Sequence, residues 1–127
     1  MPRDQAIGAM GNVLCLGKPV KNITVRLYRY DKASEYDLLH ETTTDSEGNF
    51  VVEGYDTGRK IIKPYIFIYH TCGITSPHEK NCEFKTILPI SRNYINFGES
   101  VRFYEPFWDI ELSGSYRKVE IRVKVCE

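Results

Sequence analysis

Hydrophobic and polar residues alternate in short stretches along this chain, and no stretch holds the ~3.6-residue apolar period of a long helix. From Asn22 to Tyr30, Ile23, Val25 and Leu27 fall on one face and Thr24, Arg26 and Tyr28 on the other, the signature of a strand with one buried side. Leu38 to Thr44, the turn-forming Asp45-Ser46-Glu47-Gly48-Asn49 and then Phe50-Val51-Val52 predict a hairpin in which Gly48 takes positive φ. Ile61 to Tyr69 is a nearly unbroken apolar run. Its Pro64, which has no amide proton for a ladder, belongs at the strand's start or at an edge, with Ile66, Phe67 and Ile68 turned inward after it. Glu83 to Ile90 and Val101 to Leu112 are weaker strands, interrupted by Pro89 and Pro106. The clearest alternation is the last, from Tyr116 to Cys126. There Val119, Ile121, Val123 and Val125 interleave with Lys118, Glu120, Arg122 and Lys124, which predicts a final strand with its aliphatics in and its charges out.

Seven or eight strands with turn signals about every 8 to 12 residues predict an all-β sandwich of two sheets. No repeat, linker or low-complexity stretch divides the chain, so residues 1–127 form a single domain. Nine Tyr and six Phe suit a pleated, half-buried surface. The 17 Lys and Arg balance 17 Asp and Glu. That balance leaves no net field to hold nucleic acid, and any anionic partner has to be met by a local patch. No apolar run approaches the ~20 residues that cross a bilayer as a helix, so the chain is not expected to span a membrane.

Met1-Pro2-Arg3-Asp4 is followed by no apolar stretch of signal-peptide type. The compartment therefore rests on other cues. Four cysteines, Cys15, Cys72, Cys82 and Cys126, accompany the sequon Asn22-Ile23-Thr24, and together they point to an oxidising environment with a glycan at Asn22. His70, Cys72, His78 and Cys82 form a conceivable zinc set, but structural zinc sites pair their cysteines more closely. A disulfide between Cys72 and Cys82 is the favoured reading. Cys15 and Cys126 are then left to pair by elimination, although four cysteines allow three connectivities.

Several segments, in order, resemble the nematode transthyretin-like family of secreted proteins. They are Gly11-Asn12-Val13-Leu14-Cys15-Leu16-Gly17-Lys18-Pro19, Val25-Arg26-Leu27-Tyr28, Thr44-Asp45-Ser46-Glu47-Gly48-Asn49-Phe50, Pro64-Tyr65-Ile66-Phe67-Ile68-Tyr69-His70-Thr71-Cys72, Cys82 and Ile87-Leu88-Pro89. Trp108-Asp109-Ile110-Glu111-Leu112 matches the family's closing strand in part. The resemblance implies a transthyretin-like, prealbumin-type sandwich of two four-stranded sheets, secretion and disulfide bonding. Some members of the family are similar to bridging proteins that recognise phosphatidylserine on apoptotic cells and present them to a phagocyte receptor.

The same fold houses 5-hydroxyisourate hydrolase, whose terminal Tyr-Arg-Gly-Ser is replaced here by Lys124-Val125-Cys126-Glu127. Gly114-Ser115-Tyr116-Arg117 lies inside the chain and does not match it. With no nucleophile motif and no distinct carboxylate pair, the chain is expected to bind rather than catalyse, without a cofactor or metal. The candidate ligand residues are Arg117, Lys118, Arg122 and Lys124 on the last strand, facing an anionic phospholipid or a cell-surface receptor. A second surface is offered by the aromatics of 93–98 and 103–108, which serve either as an interface or as core. The leading expectation is a secreted adaptor for phosphatidylserine, and a homo-oligomer is compatible with it. The alternative is an extracellular carrier of a small hydrophobic molecule, with a hydrolase third.

Overall fold

The computed structural model describes residues 2–127, whose regular elements are ten strands and two single-turn 3-10 helices, Pro77–Glu79 and Arg92–Tyr94. The strands are β1 (Arg3–Cys15), β2 (Lys18–Pro19), β3 (Thr24–Asp31), β4 (Glu35–Thr43) and β5 (Asn49–Gly58), followed by β6 (Lys63–His70), β7 (Cys82–Pro89), β8 (Asn96–Phe97), β9 (Glu105–Glu111) and β10 (Ile121–Cys126). One sheet is organised around β1. Antiparallel β5 and, past its end, short β2 line one side of it, and short β8 and parallel β9 share the other. The second sheet is fully antiparallel, in the order β10-β7-β6-β3-β4.

Between the sheets lies one core. Ile7, Ala9, Val13, Phe50, Val52, Phe107 and Ile110 come from the first sheet, and Val25, Leu27, Ile66, Ile68 and Leu88 from the second. The transthyretin-like sandwich expected from the sequence is present, but it is not a pair of four-stranded sheets. Both sheets have five strands: the short β2 and β8 fill out the first, and β10 has joined the β7 edge of the second.

The thirteen-residue β1 carries a weak sequence signal over its first half, since Ala6, Gly8, Ala9 and Gly11 are too small to show an alternation. Their smallness is what the position requires. A Cβ on Gly11 would stand 2.1 Å from the carbonyl oxygen of Phe107, so only glycine lets β9 run this close beside β1. Tyr104 lies across Gly8 in the same way, where a Cβ would meet its ring at 2.6 Å.

Three sequence expectations need correction. Leu38–Thr44 and Phe50–Val52 do not form a hairpin: β4 ends the second sheet and β5 pairs β1 in the first, so the turn between them is an arch joining the sheets. Asp45 closes that arch by accepting the Glu47 and Asn49 amides, both at 2.9 Å, while Gly48 takes φ +78°. Pro64 does sit at the start of its strand, and Ile66 and Ile68 do face the core. Phe67 points the other way, buried instead beneath tyrosines on the sheet's outer side.

The third correction concerns β10. Arg122 is opposite Thr86 and Lys124 opposite Phe84, on the side of the sheet that faces the sandwich interior, whereas Ile121, Val123 and Val125 lie opposite Ile87, Lys85 and Glu83 on the outer side. The alternation was read with the right period and the wrong sign. β10 is an edge strand exposed along its whole length, so its inner face has little apolar cover. The cations there lie along Phe84 instead, and the aliphatics continue an apolar outer surface.

Candidate functional site

A cleft of about 370 Å³ opens at the end of the sandwich where β3, β5 and β6 meet their loops. Val25, Leu27 and Arg29 share the inward face of β3, so where the apolar core ends the same face delivers a guanidinium. Arg29 binds three carboxylates: Asp31 at 3.2 Å, Asp37 on β4 at 2.7 Å, and Asp56, which reaches it from β5 in the opposite sheet. One cation is thus shared by three anions drawn from both layers. Asp31 is held below the usual carboxylate range by the Ala33 amide and then by Arg29.

Facing this acidic floor are Lys32, Arg59, Lys60 and Lys63, exposed cations that enter no ion pair among the described residues. The loop that carries Arg59 and Lys60 and leads into Lys63 is anchored by buried Gln5. Its amide donates to the Lys60 carbonyl at 2.8 Å and accepts from the Ile62 amide at 3.0 Å. The cleft therefore presents separated negative and positive zones on a fixed frame, suited to a zwitterionic or anionic headgroup. Sequence reasoning missed it because Asp31-Lys32 and Gly58-Arg59-Lys60 lie more than 25 residues apart and neither carries a motif. Only the antiparallel topology brings them together.

The cations predicted from the sequence are dispersed rather than gathered. Arg117 is exposed, and Lys118 turns inward to donate to the Pro106 carbonyl at 2.7 Å, 3.3 Å from the buried Glu105 carboxylate and over the Phe107 ring. These two border a second, open cleft of about 420 Å³ with Ser91 and Glu120. Arg122 stacks on Phe84 at 3.9 Å, and Lys124 pairs with Glu79. Because each of the last three has an intramolecular partner, they do not make the outward patch expected of them.

The cysteines pair differently from expectation. Cys15 bonds Cys72, joining the end of β1 to the end of β6 across the two sheets, and Cys82 bonds Cys126, riveting β10 to β7. Neither the Cys72–Cys82 bridge nor the Cys15–Cys126 bridge is formed. Cys72 and Cys82 leave opposite ends of the β6–β7 connection towards different neighbours, which sequence proximity does not show. The histidine beside them, His70, is buried, its ring 3.3 Å from the Thr86 hydroxyl. Asn22 is exposed on the turn before β3 with φ +61°, at the end of the sandwich opposite the cleft.

The aromatic segment divides. Phe107 is fully buried and Tyr94 and Ile95 line the core, whereas Phe97, Phe103 and Trp108 are exposed. A larger aromatic surface covers the outer side of the second, fully antiparallel sheet. There Tyr28, Tyr30, Tyr36, Tyr65, Phe67 and Tyr69 form a continuous set of ring contacts with centroids 4.5 to 6.4 Å apart.

Comparison with known proteins agrees with this architecture. The sequence pattern of the transthyretin-like family matches residues 10–90. Transthyretin-like protein 5 of Caenorhabditis elegans is 34% identical over 115 residues, covering 88% of this chain and 79% of that protein. Transthyretin-like protein 33 of the same organism is 33% identical over 101 residues, covering 79% and 68%, and transthyretin-like protein 2 is 28% identical over 122 residues, covering 90% and 79%.

Proposed function

We propose, from the premise that this chain belongs to the transthyretin-like family, that it is an extracellular adaptor that binds an anionic phospholipid headgroup, phosphatidylserine in the first instance, at the end cleft. In this reading it bridges that surface to a receptor on a phagocyte and performs no catalysis. The observation that carries it is the charge arrangement around Arg29: the phosphodiester and carboxylate of the headgroup meet Lys32, Arg59, Lys60 and Lys63, and its ammonium meets the surplus charge of Asp31 and Asp56. Two disulfides fit an oxidising compartment. A glycan on Asn22 would stand clear of the cleft, at the far end of β3. The rival reading, a carrier of a small hydrophobic molecule, has less to support it, because the end cleft is open and seven of its twelve lining residues are charged.

Vesicle sedimentation tests the proposal. The protein should bind phosphatidylserine vesicles in preference to phosphatidylglycerol vesicles of equal charge, and more weakly as salt rises. Each rim cation contributes about 1 kcal/mol beside an anionic leaflet, so replacing Lys32, Arg59, Lys60 and Lys63 with Ala should weaken binding by nearly a thousandfold, about 4 kcal/mol. Equal binding to the two lipids would remove the headgroup specificity, and unchanged binding by the fourfold variant would remove the cleft.

A further inference from the structure

The outer side of the second sheet, β10-β7-β6-β3-β4, has no covering layer among the described residues, yet its sequence is that of a strand face meant to be covered. Strands buried on both sides read as nearly continuous apolar runs, and Tyr65-Ile66-Phe67-Ile68-Tyr69 is such a run on the central strand β6. Phe67 is 4% exposed and Ile87 5%, although both point away from the core. Around them Tyr36, Leu38, Ile121, Val123 and Val125 remain open to solvent. The charges that break the surface are largely occupied, Arg26 with Glu41 and Lys85 over the Phe67 ring.

Three observations narrow the occupant. The first is area. Five strands spaced ~4.8 Å apart, with about five residues of each in the patch, span roughly 400 Å², against the roughly 800 Å² per partner of a standard stable interface. The patch is therefore small for a permanent dimer and suits a narrow ligand.

The second is position. This is a sheet face and not an edge, so its backbone groups already pair between strands and cannot add another strand by hydrogen bonding. Recognition has to come from side chains. Tyrosine supplies a ring for apolar contact and a hydroxyl to donate. Burial raises the Tyr36, Tyr65 and Tyr69 hydroxyls, that of Tyr69 to about 12, so each keeps its proton at neutral pH.

The third is ring geometry. Tyr36 meets Tyr28 at 72°, Tyr30 at 58°, Tyr65 at 81° and Phe67 at 68°. Steeply tilted rings make ridges with grooves between them, whereas a sugar chain stacks on rings that share a plane. A left-handed polyproline helix fits the ridged form: its pyrrolidine rings settle between aromatic ridges, and its unpaired carbonyls accept from hydroxyls.

We propose that this tyrosine face is a docking site for a proline-rich segment in the polyproline conformation, carried by a protein partner. The surface adjoins the end cleft at Tyr30, which lines both, but it does not depend on the lipid reading.

Titration of the full chain with decaproline, followed by tyrosine ring NMR signals, tests it. Saturable shifts are expected at Tyr28, Tyr36, Tyr65 and Tyr69, with Tyr55, exposed on the opposite sheet, unmoved. The double variant Tyr36→Ser, Tyr65→Ser should weaken binding by about tenfold or more, and Tyr55→Ser by less than about twofold. If the double variant fails to fold, the wild-type shift map still decides. No saturable shift at millimolar peptide, shifts that map elsewhere, or the same tyrosines responding to a β-linked glucose hexamer in place of decaproline would each overturn the proposal.

Discussion

His70 is held between two hydrogen-bonding groups, one of which, the Cys72 amide, requires its ring to be neutral. The Cys72 amide donates to Nδ1 at 3.2 Å, which leaves the ring proton on Nε2, directed at the Thr86 hydroxyl 3.3 Å away. Phe84 packs against the imidazole, and Arg122 lies on that phenyl ring. Burial and then the Arg122 charge press the His70 pKa down to about 4 from an ordinary 6.5. The sign of the effect on stability follows. Above pH 6.5 folded and unfolded chains both hold a neutral His70, and nothing is lost. As pH falls from 6.5 towards 4 the unfolded chain takes up a proton that the folded chain refuses, and stability drops by about 1.4 kcal/mol per pH unit before levelling off. A ring resonance of His70 titrating near pH 4, and a urea midpoint that falls across this window, would bear this out; a midpoint near 6.5 would refute it. None of this was visible in the sequence, where His70 is one of two histidines spaced among two cysteines. A spacing argument offers ligands to a metal without knowing that the sulfurs are bonded elsewhere and the ring nitrogens occupied.

β10 shows what periodicity can and cannot settle at the level of an element. The period of two in Ile121 to Val125 is enough to predict a strand, and a strand forms. Which face is buried is a different question, decided by neighbours the sequence does not reveal. In an edge strand exposed along its whole length, the usual inference from aliphatic to interior fails. The polar-looking face of β3 was misjudged for the same reason: Tyr28 and Tyr30 join an aromatic layer instead of meeting solvent singly. Because every residue of β10 is exposed, packing contributes little to holding it, and the ladder with β7 and the Cys82–Cys126 bond carry most of the attachment. Replacing Cys82 and Cys126 with Ser should free the strand while the rest of the sandwich stays folded. Hydrogen exchange would show this as lost protection for the amides of Ile121–Cys126, with protection in β3 and β6 retained. Uniform loss across both sheets would show that β10 is instead part of the cooperative core.

For the molecule as a whole, the question is what couples one sheet to the other. The buried apolar cluster does most of this, and its members were legible from alternation in β3 and in the aliphatics of β6. The two devices that supplement it were not legible, because each joins residues far apart in sequence. At one end Cys15–Cys72 closes a span of 57 residues between β1 and β6. At the other, Arg29 of the second sheet reaches Asp56 of the first, in the cleft proposed to bind the headgroup. The two covalent bonds close spans of similar length, 57 and 44 residues, so chain entropy alone assigns each about 4 kcal/mol. Topology separates them. Cys15–Cys72 bridges layers that must part when the molecule unfolds, whereas Cys82–Cys126 binds an edge strand that can leave by itself. Replacing Cys15 and Cys72 with Ser should therefore lower the global free energy of unfolding by about 4 kcal/mol, with the denaturant midpoint of every probe falling together. The Cys82, Cys126 pair of substitutions should move the probes in the core much less. Equal global losses from both pairs would mean that the edge strand and the two layers unfold as one unit, and the distinction between the bonds would then be one of position only.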